Sequence, residues 1–392
     1  MAPLAPLTLL RHADLYAPTK IGRRDILVGG GHVLAISADS LHVPKELCTI
    51  VDLAGARVVP GLIDAHVHVT GGGGEKGPAS RVPSVRFSEL TRGGITTCVG
   101  VLGTDGTTRN VASLVAATLG LRQEGLSAWC WTGSYEVPPI TLTGSIRSDI
   151  TFVDAIIGAG EVAISDHRSS QPTPAEIARI AADCHVAGLM SGKAGILHLH
   201  LGDGIRGLDL VTHILDTTEL PPRVFHPTHV NRKTALFHEA IELAKRGCAI
   251  DVTAFPVDEG EDAYSAEDAI EVYLASGAPP EKLTCSSDGG GCLPTYNEAG
   301  ELIAMDTGRP SALAETLAAL LARGQALETV LPIFTSNVAG LLRLPGKGHI
   351  HPGADADLVV LDEKHEVRDV MARGRFVVRD KKPTVLGMFE ND

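Results

Sequence analysis

Two textures of apolar and polar positions divide the chain. Up to residue 57, short apolar runs alternate with turn residues, so LTLLRHADLY, DILVGGGHVLAIS and TIVDLAGARVV read as strands, with weak helical periodicity. ADLVVLD (356–362) and EVRDVMARGRFVV (366–378) repeat that texture ahead of a polar end. Both ends therefore read as parts of one β layer.

Between them the period changes. Short apolar runs alternate with amphipathic helices such as PAEIARIAADCHVAGL (174–189) and TALFHEAIELAKRG (234–247), the pattern of βα units around a parallel sheet. Strands are expected in RVVPGLIDAHVH, TTCVGVLG, AWCWTGSY, GEVAIS, ILHLHLGD, RVFHPTH, CAIDVTA and KLTCSSD. Eight such units are what a (β/α)8 TIM barrel requires, with its active site at the C-terminal strand ends. The expected organisation is a catalytic barrel over 58–345 and a small β-sandwich domain built from 1–57 plus 346–392. A doubly wound open sheet competes less well, because the first βα turn lacks a G-x-G-x-x-G phosphate loop.

Composition agrees with one large barrel plus an appendage: 392 residues, 44% of them hydrophobic, are enough for a sizeable core. With 34 Lys+Arg against 47 Asp+Glu the net charge is −13, and no basic run of five occurs. That argues against nucleic acid or an anionic membrane as partner. No stretch approaches the roughly 18 apolar residues of a membrane span, and the start lacks a basic segment ahead of its apolar stretch. Seven cysteines, an odd set without C-x-x-C, fit a reduced compartment, and the cytoplasm is the expected location.

The sixteen histidines change the picture most. His66 and His68 follow the first barrel strand, Glu161 lies in the fourth, and His200, His229 and Asp288 follow the fifth, sixth and eighth. Side chains alternate along a strand, so the H-x-H of DAHVH puts two imidazoles on one face, where they can chelate one cation. Alone, that pair also fits two hydrogen-bonded strand-end histidines. With the further histidines and carboxylates the set suits Zn²⁺ or a related divalent ion, and an open coordination position generates hydroxide near neutral pH. His198 and His226 are expected deeper, as core or supporting groups. His167 is expected to shape a loop, and His349 and His351 to be solvated.

These residues resemble the amidohydrolase superfamily. PGLIDAHVHVTGGGGEKGP, VLGTDG, TGSYEVP, AISDHRS, HLGD, PTHVNR and SSDGGG, in this order, narrow the resemblance to the β-aspartyl (isoaspartyl) dipeptidases over nearly the whole chain. It implies that a metal-bridging hydroxide attacks the side-chain amide of an isoaspartyl residue and releases the following amino acid. It further implies His66 and His68 on one metal, His200 and His229 on the other, Asp288 as ligand and proton acceptor, and Tyr135 as donor to the developing oxyanion. A high-order homo-oligomer, such as an octamer, is implied as well.

An isoaspartyl dipeptide carries one ammonium and two carboxylates. Glu75, after four glycines, is expected to meet the ammonium, and Arg168 and Arg232 to bind carboxylates, with Thr104 and the backbone of Gly73 assisting. Two departures from the family pattern matter. Where the family has a carboxylated lysine bridging two metals, this chain has Glu161, which is expected to bridge two Zn²⁺ with a shorter arm. Where the family has a substrate-contacting serine, this chain has Cys292, a weaker hydrogen-bond donor. A cyclic amidase or N-acyl amino acid hydrolase of the same superfamily remains the main alternative, and a noncatalytic assembly protein on the same scaffold the remote one.

Overall fold

The computed structural model describes residues 7–296 and 302–391; residues 1–6 and 392 of the expected end layer lie outside this range. The chain opens with β1 (Leu7–Tyr16), β2 (Lys20–Gly29), β3 (His32–Ser37), β4 (Cys48–Asp52) and β5 (Arg57–Pro60). The barrel strands follow as β6 (Leu62–Val67), β7 (Ile95–Gly100), β8 (Ser127–Thr132), β9 (Ile156–Ile164), β10 (Ile196–Leu201), β11 (Phe225–Thr228), β12 (Ile250–Thr253) and β13 (Leu283–Ser286). These are the eight strands expected from the sequence. A hairpin not expected from it, β14 (Cys292–Tyr296) and β15 (Leu302–Thr307), comes next, and β16 (Leu358–Leu361), β17 (Val367–Ala372), β18 (Arg375–Arg379) and β19 (Lys382–Pro383) end the chain.

Both chain ends share one nine-stranded sheet in the order β19-β18-β17-β16-β5-β1-β2-β3, with β4 added alongside β1. The join is the antiparallel pairing of β16 with β5, so the end sheet reaches to Pro60. By hydrogen bonding it is one sheet rather than two, closed over a core of its own that includes Leu10, Leu15, Ile26, Val28, Val58, Leu358 and Met371.

In the barrel, β6 to β11 form a continuous parallel ladder, and β12 pairs with β13. At one seam, Val67 pairs with Gly289 in a parallel bridge and the His68 amide donates to the Gly289 carbonyl at 2.8 Å. Across the other, Thr228 donates to Asp251 at 2.7 Å and the Asn231 side chain bonds the Thr253 backbone in both directions. All nine residues of β9 (IIGAGEVAI) are buried, the unbroken run typical of a parallel strand covered on both faces.

The helices show why the sequence stops and starts where it does. Helix Pro174–Ser191 opens on a Thr173–Glu176 capping box with proline in its first turn, ends at left-handed Gly192, and buries Ile177, Ile180, Ala181, Cys184 and Ala187 against the barrel. Among the described residues no helix is long and apolar enough to cross a membrane.

Candidate metal centre and active site

Every proposed ligand arrives at the same end of the barrel. His66 lies in β6 and His68 just past it, Glu161 in β9, His200 in β10, while His229 directly follows β11 and Asp288 lies two residues past β13. The last two adopt left-handed backbone, with φ of 61° and 52°. Such non-glycine conformations are uncommon and concentrate where side-chain direction matters more than backbone comfort. All six residues are buried.

The reach of Glu161 is provided by a β-bulge. Leu197 pairs with Ala159 and Leu199 with Val162, so Gly160 and Glu161 together face His198 alone. The extra residue re-aims the strand and turns the carboxylate inward. One oxygen, Oε1, lies 3.4 Å from His66 Nε2 and 3.6 Å from His68 Nε2; the other, Oε2, lies 3.1 Å from His200 Nδ1 and 3.6 Å from His229 Nε2. Asp288 Oδ1 faces the first pair, 3.4 Å from His66 and 3.0 Å from His68. The carboxylate thus stands between two histidine pairs.

Electrostatics and hydrogen bonding show that this cluster suits cations. His66 Nε2, His68 Nδ1, Glu161 Oε1 and Asp288 Oδ1 are buried without a hydrogen-bond partner, a costly arrangement unless another group compensates. His66, His68 and Asp288, and separately His66, Glu161 and His229, present ligand atoms within 4.8 Å of one another. Imidazole and carboxylate together suit a borderline divalent ion. Burial acts to raise the Glu161 carboxyl, but His66 and hydrogen bonds from His200 and His229 hold it well below the usual range; His66 and His68 do the same for Asp288. Burial pushes the His229 imidazole down to about 3, which keeps it neutral, as a ligand must be.

His200 is more committed than the sequence suggested. Its Nδ1 also meets the Tyr135 hydroxyl at 2.8 Å, and its Nε2 meets Asp166 Oδ2 at 2.9 Å. Burial raises the Tyr135 phenol well above its ordinary value, so it keeps its proton.

The residues expected to face substrate line one space. A recess bounded by His68, Gly73, Glu75, Thr104, Tyr135 and Cys292 opens beside Arg168, Arg232 and Asp288 into a cavity of about 700 Å³. Thr104 donates to Glu75 Oε1 at 2.9 Å, and Arg168 Nη1 lies 3.4 Å from the same oxygen. Gly73 has φ 72°, and a Cβ there would stand 2.5 Å from the Ser80 carbonyl oxygen, so glycine is required for this loop to close. Burial and the charge of Glu75 push the Cys292 thiol up to about 12, which leaves it a neutral wall group. The side chain of His167 is largely exposed at the rim, and His349 and His351 are exposed in the end layer.

Two supporting groups escaped the sequence reading. Asp166 is buried and grips Arg168 through Oδ1 to Nε (3.0 Å) and Oδ2 to Nη2 (2.7 Å), which fixes the guanidinium beside His200. Its position two residues before Arg168 in SDHRS was the available signal. Arg109, buried at the start of a helix, donates to the carbonyls of Thr70, Gly72, Gly73 and Val82 and to Asp105. It clamps the glycine loop that carries Glu75, and a lone arginine in TTRN gives no hint of that.

Comparison with known proteins agrees with this geometry. The amidohydrolase family profile matches residues 57–377. A β-aspartyl dipeptidase of Fervidobacterium islandicum AW-1, crystallised with the β-Asp-Leu dipeptide, superposes with a TM-score of 0.91 at 41% identity, covering 98% of this chain and 100% of that one. A second crystal structure of the β-aspartyl dipeptidase from that organism gives a TM-score of 0.89 at 41% identity over the same shares. A local match to an enamidase of Eubacterium barkeri is 39% identical over 74 residues, 19% of this chain and only 18% of that protein's length.

Proposed function

Since the chain belongs to the amidohydrolase family, and within it to the β-aspartyl dipeptidases, we propose that it hydrolyses β-aspartyl dipeptides to aspartate and a free amino acid. The observation that carries this reading is one cavity lined by Glu75, Arg168 and Arg232 beside the histidine and carboxylate cluster. One anion and two guanidinium groups match the one ammonium and two carboxylates of such a substrate.

In this reading His66, His68 and Asp288 would hold one Zn²⁺, His200 and His229 would hold a second, and Glu161 would be available to both. When bound, these ions supply the Lewis acidity that polarises the scissile carbonyl and activates water. Asp288 Oδ1 faces the histidines, which leaves Oδ2 to take a proton from the attacking water and return it to the leaving amine. Tyr135, still protonated, donates a hydrogen bond to the developing oxyanion. Glu75 and Thr104 seat the ammonium. Arg168, steadied by Asp166, and Arg232 seat the carboxylates, while Gly73 offers backbone and Cys292 closes the wall.

The cytoplasm belongs to the same proposal: the odd cysteine set lacks any C-x-x-C, and six of the seven thiols are buried and all are free. So does a homo-oligomer, supported by the strongly exposed Phe152, Met190, Met388 and Phe389, apolar surface that a second copy would cover. The decisive assay compares β-Asp-Leu with α-Asp-Leu and a 5-substituted hydantoin on zinc-loaded protein. Rapid release of aspartate from β-Asp-Leu alone is expected. Turnover of the hydantoin with the dipeptide left intact would point to a cyclic amidase instead.

A further inference from the structure

Beneath the cluster, three buried imidazoles run across the barrel interior. His66 Nδ1 lies 2.8 Å from His198 Nε2, His198 Nδ1 lies 3.0 Å from His226 Nδ1, and His226 Nε2 lies 3.0 Å from Thr284 Oγ1. Thr284 Oγ1 in turn lies 2.6 Å from Asp251 Oδ1, and the other Asp251 oxygen accepts from Thr228 and Ser286 at 2.7 and 2.5 Å. The series joins β6, β10, β11, β13 and β12. His66, His198 and His226 are each fully buried, and the indole of Trp131 stacks on His198 at 5.3 Å.

Proton counting gives this series one direction. A carboxylate only accepts, so Thr284 spends its single hydroxyl proton on Asp251 and offers a lone pair to His226. His226 must then carry its proton on Nε2 and accept at Nδ1. Burial lowers its pKa to about 4, in keeping with a neutral ring that has one donor and one acceptor. His198 therefore donates from Nδ1 and accepts at Nε2, and His66 donates from Nδ1. With a cation bound, what remains on His66 is the lone pair of Nε2, the buried atom that has no hydrogen-bond partner in the protein and faces Glu161 and Asp288.

We propose that Asp251 and Thr284 act through His226 and His198 as positioning residues, fixing His66 as its Nδ1–H tautomer so that Nε2 is presented to a divalent cation. Supporting groups of this kind set both the orientation and the basicity of a metal-binding histidine. The inference rests on the metal site proposed above and is independent of the dipeptide.

Zn²⁺ titration against a competing chelator tests it without any substrate. Thr284→Val keeps shape but removes the hydroxyl, and Thr284→Ser restores it. The valine variant should bind Zn²⁺ about 10- to 100-fold more weakly, and the serine variant close to wild type. Unchanged affinity in Thr284→Val would overturn the proposal. Imidazole ¹⁵N shifts of the zinc-loaded wild type test it with no substitution at all: a protonated Nδ1 on His66 and a protonated Nε2 on His226 are expected, and the opposite tautomer at either ring refutes it. A protein that passes these tests yet leaves β-Asp-Leu intact would refute only the dipeptidase reading.

Discussion

At the scale of single residues, Glu161 decides how the cluster is held together. Its two oxygens face different histidine pairs, so removing its charge would remove the ligand proposed to serve both metals. If the site holds two Zn²⁺ as proposed, Glu161→Gln should drop the zinc content to one ion per chain or fewer, read by elemental analysis after gel filtration; two ions retained would exclude a bridging role. Arg109 governs a different property. Lysine offers three donors without the planar fork, so Arg109→Lys should loosen the glycine loop under Glu75. KM for β-Asp-Leu should rise several-fold with kcat little changed, since the proton-handling residues are untouched. That His66 and His68 share one face was legible in the sequence because strand alternation dictates it, and the gathering of His200, His229 and Asp288 near them followed from their places at strand ends. The partners of His200 and the clamp by Arg109 were not, because each joins loops distant in the chain.

At the scale of elements, the strands were readable because a parallel barrel buries both strand faces and leaves long apolar runs. What the pattern hides is the bulge in β9, a local insertion that changes no composition and becomes visible only once β10 is laid beside it. The hairpin β14–β15 was likewise missed: CLPTY contains proline and follows a glycine run, so it reads as loop. Close packing of helix on strand is also invisible to periodicity. Gly188 in helix Pro174–Ser191 sits so near Gly195 that an added Cβ would lie 2.6 Å from its Cα. Gly188→Ala should push the helix off the start of β10 and destabilise the fold by about 1–3 kcal/mol, measured by chemical denaturation. A neutral result would mean that helix and loop yield without strain.

For the whole molecule, the two textures along the chain correspond to two layers, joined by apolar packing of Val59, Val359, Leu361 and Val378 with Leu62, Phe87, Leu90 and Ile95 and by a buried polar link. Lys347 is buried where the barrel passes into the end sheet, bonded to Ser127 at the start of β8 and paired with Asp355 and Asp357. Lys347→Met leaves the Asp357 carboxylate buried without its cation, so a loss of about 3–5 kcal/mol in unfolding free energy is expected. No periodicity predicts such a pairing, because both partners sit in GKGHIHPGADAD, a stretch with the composition of an ordinary loop.

The order of the proposed ligands along the chain has a consequence for biosynthesis. His66 and His68 leave the ribosome early, whereas Asp288 emerges only after the last barrel strand, and β16 later still. A nascent chain therefore exposes single imidazoles and the thiols of Cys48, Cys98, Cys130, Cys184 and Cys248 long before Asp288 emerges. Thiolates are the softer ligands and would compete for zinc at that stage. In the finished fold all five of those cysteines are buried. On the proposed ligand set, metal loading would follow translation, once folding has hidden the competing thiols and brought His66 and Asp288 together.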